Sequence, residues 1–433
     1  MQFTKLIQFR QAAYQCLGKA RDAQFELADA VMLTPAARSF AELTLSPIFR
    51  RRWCSGYEAI EDGSPDREGL MRLYVAQIPS LPRPLLAGDH TVWPRLSAPT
   101  LRDRTIEHHP TKVRGNKPIT IGQGYSTLVW LPPDEEKGSW ALPCLHERIC
   151  SAETVIDKGI SQLRRVTQGL LARPISLWDS EYGNAVFVNG SADIPADKII
   201  RLRSNICLWG PPRPYSGRGR RPIHGAKFKL KNPATWGQPV QVLEVEDAQL
   251  GRGRISLWRD LHFRQSAQHR MIVVRIERLD ARGTRRDPKE LWLAWVGEEP
   301  PPLEEWWRLY LRRFGEEHWY RFAKQRLYWT LPRFSTPERA ERWSDLIPMI
   351  TWQLWLARQI TADKPRPWQK PQSNLTPGRV CQGIGGVLAA ISTPAQAPKP
   401  RGKSPGWPKG RPRNCRQRYP VMKKSSKQRK SAS

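Results

Sequence analysis

The sequence predicts a mixed α/β fold: a sheet with flanking helices, interrupted by a β-rich insertion and framed by an N-terminal helical region and a disordered basic C-terminal tail. Three observations predict it. Apolar residues recur at helical spacing through the first part of the chain, strand and helix signals then alternate, and a run of strand signals separates two helix-bearing halves.

Residues 1–80 read as helical. KLIQFRQAAYQCLGKARDAQFELADAVML keeps its apolar residues at three and four, and SPDREGLMRLYVAQI opens on Ser-Pro-Asp, an N-terminal cap ahead of a second helical pattern. From 81 to 205 the texture changes. LLAG leads to Asp89, KPITIGQGYSTLVWLPP alternates and is rich in β-branched and aromatic residues, and SAETVIDKGISQLRRVTQGLLA is an amphipathic helix with a Ser-x-x-Thr start. Ile175 to Trp178 form a buried strand ending on Asp179, and DKIIRLRSNICLW reads as another, so this part predicts a sheet with parallel neighbours.

Residues 206–297 begin with the Pro/Gly/Arg loop GPPRPYSGRGRRPIHG. KFKLKNP, QPVQVLEVED, RISLWRDLHFR, HRMIVVRIERL and KELWLAWVG follow as strand signals and define the insertion. Residues 298–362 return to helix. RLYLRRFGEEHWYRFAKQRLYW, from Arg308 to Trp329, lacks Pro and reads as one helix, and RWSDLIPMITWQLWLARQI as the last. Across 363–433 acids vanish after Asp363 and Pro, Lys, Arg and Ser dominate, a composition that cannot bury enough apolar area to fold alone.

Across 433 residues, 71 Lys and Arg face 40 Asp and Glu, a formal net charge of +31. Such a balance calls for a polyanion, nucleic acid before a membrane surface. Seven cysteines form no CxxC pair, and CLHERIC (Cys144 to Cys150) has no second ligand pair, so ordinary thiols in a reducing compartment are expected. The opening segment lacks the apolar core of a secretory leader, and no apolar run is long enough to span a bilayer, so no membrane partner is expected. The 19 tryptophans, many beside basic residues, suit core packing and cation–π contacts, or stacking on bases.

In so basic a chain, acids after buried strands need a reason, because a carboxylate there is costly unless something positive meets it. Asp89 and Asp179 each follow one, although either alone also suits a turn or helix cap. With a Glu from a later helix they give hard oxygen ligands suited to Mg²⁺ or Mn²⁺. Two ions about 4 Å apart would serve an in-line phosphoryl displacement. At roughly 100° per residue, Tyr310, Arg313 and Lys324 project within about 40° of Glu317, whereas Glu316 lies about 100° around on a flank. That stripe suits a carboxylate holding metal while Arg313 and Lys324 hold phosphates. Equally, Arg313 and Glu317 fit an ordinary i,i+4 pair on a solvated face.

The chain resembles insertion-sequence transposases of the DDE superfamily, which carry a ribonuclease H-like catalytic core. Tyr310, two residues, Arg313, three residues, Glu317, six residues and Lys324 match the Y-R-E-K signature of one group, and LLAGDHTVWPR and SLWDSEYGN resemble its two Asp blocks. The resemblance implies that Asp89, Asp179 and Glu317 are catalytic ligands of two Mg²⁺ or Mn²⁺ ions, and that Tyr310, Arg313 and Lys324 contact DNA. It further implies cleavage at transposon ends, transfer of the released 3′-hydroxyl to target DNA, a homodimer on paired double-stranded ends, and a cytoplasmic, nucleoid-associated place in a bacterium. The N-terminal helices are then expected to bind the end repeats. Two other readings remain open: a nuclease of the same fold that only hydrolyses, and an inactive DNA-binding remnant.

Overall fold

In a computed structural model of the chain, the described residues are 2–108, 118–133, 140–217, 219–247, 251–283, 289–400, 406, 408–412 and 415–424. The N-terminal periodicity becomes helices α1 (Gln2–Cys16), α2 (Arg21–Leu33), α3 (Phe40–Leu43), α4 (Trp53–Asp62) and α5 (Arg67–Val75). The break between α1 and α2 falls at Gly18, whose φ of +65° and close approach to the Ser64 carbonyl both exclude a side chain. Asp66, of the Ser-Pro-Asp cap, accepts from the Gly69 amide at 2.9 Å and starts α5. Helix α2 is buried nearly all round, so its two interior acids need partners. Asp29 takes a two-pronged bond from Arg10 at 2.8 Å, and Glu26 is held by Arg50 and Arg51.

Strands β1 (Leu85–Pro94), β2 (Thr105–His108), β3 (Ile119–Trp130) and β4 (Leu142–Ile149) follow. Helix α6 (Val155–Thr167) starts four residues later than Ser151, because Thr154 and Asp157 form a reciprocal capping box there. Then come β5 (Ile175–Trp178), α7 (Ala185–Gly190) and β6 (Asp197–Leu202). The strand expected over DKIIRLRSNICLW divides after Leu202 into β6 and β7 (Cys207–Trp209), which pairs instead with β8 (Lys227–Lys229).

Five of these strands lie in the order β4-β3-β1-β5-β6, with β3 antiparallel to both β4 and β1, and β1, β5 and β6 parallel. This is the mixed sheet of a ribonuclease H-like core. The insertion does not stand apart from it. Strands β9 (Gln241–Asp247), β10 (Gly251–Leu261), β11 (Met271–Arg278) and β12 (Glu290–Val296) extend the same sheet, because β12 pairs with β6 from Trp292↔Leu202 to Val296↔Lys198.

Helices α8 (Trp306–Leu311), α9 (Phe314–Gln325), α10 (Pro337–Ala357) and α11 (Pro377–Ile391) complete the chain. The single helix read over 308–329 is two, α8 and α9, joined by a turn at Arg312 and Arg313. Helix α10, capped by Thr336, packs on β4 and α1 and ties the N-terminal helices to the sheet through one apolar core. Most of the large buried rings there are tryptophans, including Trp93, Trp130, Trp329, Trp343 and Trp352, so core packing accounts for them.

Part of the tail, expected as a largely disordered arm, is ordered. Between Pro377 and Ile391 it is rich in Val, Leu, Ile and Ala, and helix α11 buries Val380 and Ile384 against α10 and α2. Arg379 anchors it by a bidentate bond to Asp363 at 2.5 and 2.8 Å. Farther on, the Met422 amide donates to the Arg104 carbonyl at 2.7 Å, and Lys424 pairs with the buried Glu107 at 2.7 Å, so this segment covers the free edge of β2. Much of the most basic stretch, including 401–405 and 425–433, lies outside the described residues. No helix among the described residues is long and apolar enough to cross a membrane.

Candidate active site

Register brings the two aspartates together. Strands β1 and β5 run parallel from Leu85↔Ile175 to Gly88↔Trp178, and the next residue on each is Asp89 and Asp179. Neighbouring strands lie about 4.8 Å apart, so the two carboxylates leave the parallel ladder side by side. Strand β1 does not end there, as the sequence suggested; it continues to Pro94 as the antiparallel partner of β3. Gly88 is required because a Cβ there would fall 2.2 Å from the Trp178 ring, which lies over it.

Each aspartate is fixed locally. Asp89 accepts from its neighbour's amide, His90 N, at 2.8 Å, and Asp179 Oδ1 accepts from the Glu181 amide at 2.9 Å. Burial raises the Asp89 pKa, Arg313 opposes the rise, and Asp179 adds to it. An acid whose charge is disfavoured by burial and by an acidic neighbour is a poor arrangement for stability and a good one for binding a cation.

Helix α9 lies over β1 and supplies the rest. Arg313, 5 % exposed in its side chain, donates to Asp89 Oδ2 at 2.8 Å and to Glu317 Oε1 at 2.7 Å. The guanidinium therefore stands between the first aspartate and the glutamate. Lys324 donates to Thr91 Oγ1, also on β1, at 2.6 Å, and burial lowers its pKa to about 8. Tyr310 is 2 % exposed, beside Arg313, and its hydroxyl makes no hydrogen bond of ordinary geometry. Tyr310 and Arg313, expected from the sequence to contact DNA, are thus both buried here, and Arg313 holds two carboxylates.

The sequence reading missed Tyr320. Its hydroxyl lies 3.0 Å from the Asp89 carbonyl and 2.8 Å from Thr127 Oγ1, and Thr127 meets His146 Nδ1 at 2.8 Å. Residues 313, 316, 320 and 324 turn toward β1, a stripe of three- and four-residue steps that could have been read. The turn at Arg312 and Arg313 detaches Tyr310 from the projection that ran to Lys324 as one helix; Arg313 stands at the N-terminal cap of α9, and Glu317 and Lys324 lie within it. Glu316 is 0 % exposed and has Asp89 and Arg313 as charged neighbours, whereas Glu317 is 47 % exposed.

Among the described residues no three His, Cys, Asp or Glu side chains stand close enough to hold a metal ion. Arg313 explains the spacing, since its guanidinium lies where a cation shared by Asp89 and Glu317 would lie. The donor set nevertheless fits a hard divalent ion: all oxygen, mutually repulsive, and bordered by the buried hydroxyl of Tyr310 and the unpartnered one of Tyr182.

A ribonuclease H-like sheet with acids on neighbouring parallel strands and a glutamate on a covering helix defines a class of nucleases that generally depend on divalent metal. The sequence profile of the DDE superfamily endonucleases matches residues 12–264, more than half of the chain, and the chain belongs to that family. The matched region holds Asp89 and Asp179 and ends before α9. No curated protein matches the sequence.

Proposed function

We propose that the chain is a DNA transposase of the Y-R-E-K group that cleaves transposon ends and joins the 3′-hydroxyls to target DNA. The observation that carries this reading is the Asp89–Arg313–Glu317 bridge beside Asp179, with Lys324 bonded to the same strand that bears Asp89. Arg313 and Lys324 of the sequence signature bond to β1, Glu317 bonds to Arg313, and Asp179 follows the parallel neighbour of β1.

Asp89, Asp179 and Glu317 would hold the divalent ions. When bound, a pair of such ions stabilises charge on the attacking and departing oxygens of an in-line displacement at phosphorus. Arg313 neutralises Asp89 and Glu317 here; with divalent ions on those carboxylates its guanidinium would be available to a phosphate oxygen. Lys324, with a pKa near 8, offers a second positive charge along β1, where the scissile strand would lie. Hydrolysis and strand transfer differ only in the hydroxyl that attacks, so one set of carboxylates serves both, and no covalent protein–DNA link is needed. Two copies on paired ends follow from the resemblance.

The test is a strand-transfer assay with Mg²⁺ and a labelled end carrying a free 3′-hydroxyl. Joined product is expected; cleaved product alone would make the protein a nuclease.

Double-stranded DNA is the partner that a net charge of +31 fits best. Replacing the Lys and Arg residues between 399 and 418 by Gln leaves the docked segment around Met422 in place. The slope of log binding constant against log salt is expected to flatten by about 0.9 for each phosphate that is no longer neutralised. An unchanged slope would reject the tail as a DNA arm.

A further inference from the structure

We propose that Glu316 is a fourth oxygen donor to the cations held by Asp89, Asp179 and Glu317. The inference rests on the reading of that site as a divalent-metal centre. It departs from a three-acid site and concerns the glutamate that the sequence projection set aside.

Burial is the first ground. Glu316 is wholly enclosed, and neither Oε1 nor Oε2 has a hydrogen bond of ordinary geometry; the Tyr320 hydroxyl is the nearest donor. Enclosing a carboxylate with so little to meet it costs free energy whether the group ionises or takes up a proton without an acceptor for it. An apolar side chain would fill the same place on α9 without that cost, so a partner is missing from the balance.

Its surroundings say what kind of partner. The nearby hydroxyl of Tyr320 already reaches Asp89 O and Thr127 Oγ1, and Arg313 is divided between Asp89 and Glu317. Asp89 lies on the strand beneath, and the Tyr182 hydroxyl, within reach of the fields of Asp89, Asp179 and Glu316, is also unpartnered. These neighbours are oxygen-rich, and Arg313 and the Tyr320 hydroxyl answer the charge of Glu316 only in part, since burial and Asp89 outweigh them. A hard cation taking six or more oxygens answers it, and three single-oxygen carboxylates leave room for a fourth.

The test titrates the full chain with Mn²⁺, following free ion by electron paramagnetic resonance. Wild type, Glu316→Gln, Glu316→Leu and Asp89→Asn are compared, with circular dichroism to confirm folding. Both Glu316 variants are expected to weaken Mn²⁺ binding by about tenfold, and Glu316→Leu to melt at a higher temperature than wild type in chelator. Unchanged Mn²⁺ affinity in both Glu316 variants, with binding lost in Asp89→Asn, would overturn this proposal and leave the metal site standing. Unchanged affinity in all three would overturn the site as well.

Discussion

Asp89→Asn is expected to lower DNA strand cleavage by at least about 10³-fold, ~4 kcal/mol of transition-state stabilisation. Asparagine keeps the shape and can still accept from the His90 amide, so the strand and its register survive. The charge is what disappears. Arg313 then keeps only Glu317, and the pair of like charges across β1 and β5 is gone. Asp179→Asn and Glu317→Gln are expected to fall by similar factors. A single-turnover cleavage assay with Mg²⁺, on variants whose thermal transitions match wild type, measures the effect. If Glu317→Gln cut normally, the helix contribution would have to come from its buried neighbour.

The second large effect concerns stability. Trp352→Ala is expected to cost about 4 kcal/mol, read as a shift in urea midpoint at constant slope. The Trp352 ring lies parallel to Trp130 of β3 at 6.0 Å and 4°, and to Tyr74 of α5 at 6.1 Å and 10°. Its indole N–H donates to the Pro143 carbonyl of β4 at 2.8 Å. One side chain thus joins an N-terminal helix, α10 and two sheet strands. Removing it opens a cavity and strands a buried carbonyl. Trp352→Phe restores most of the packing and is expected to recover more than half of the loss.

How far the sequence can be read is shown by these same residues. Strands β8 to β12 were legible because each alternates or is β-branched and is closed by turn residues. Asp89 and Asp179 were legible as acids out of place after apolar runs. Their adjacency was not, because parallel pairing between residues ninety positions apart is set by the crossover and the packing of α6, and leaves no local mark. The division of α8 from α9 was hidden for a different reason. Arg312 and Arg313 keep helix-like backbone angles, and only the hydrogen bonding changes there, to bonds reaching three residues back. Helix phase is cumulative, so the turn takes Tyr310 out of the projected stripe, whereas Glu317 and Lys324 keep their phase within α9. Helix α11 was missed because the composition of the whole tail masked a short apolar stretch.

The pairing of β12 with β6 has a mechanical consequence. Force applied at the outer strand β9 is passed through β10, β11 and β12 into β6 and β5, each step a ladder of backbone hydrogen bonds loaded in shear. A displacement of β9 therefore reaches Asp179, the residue after β5, through paired backbone alone, and the position of the insertion is tied to that of the site.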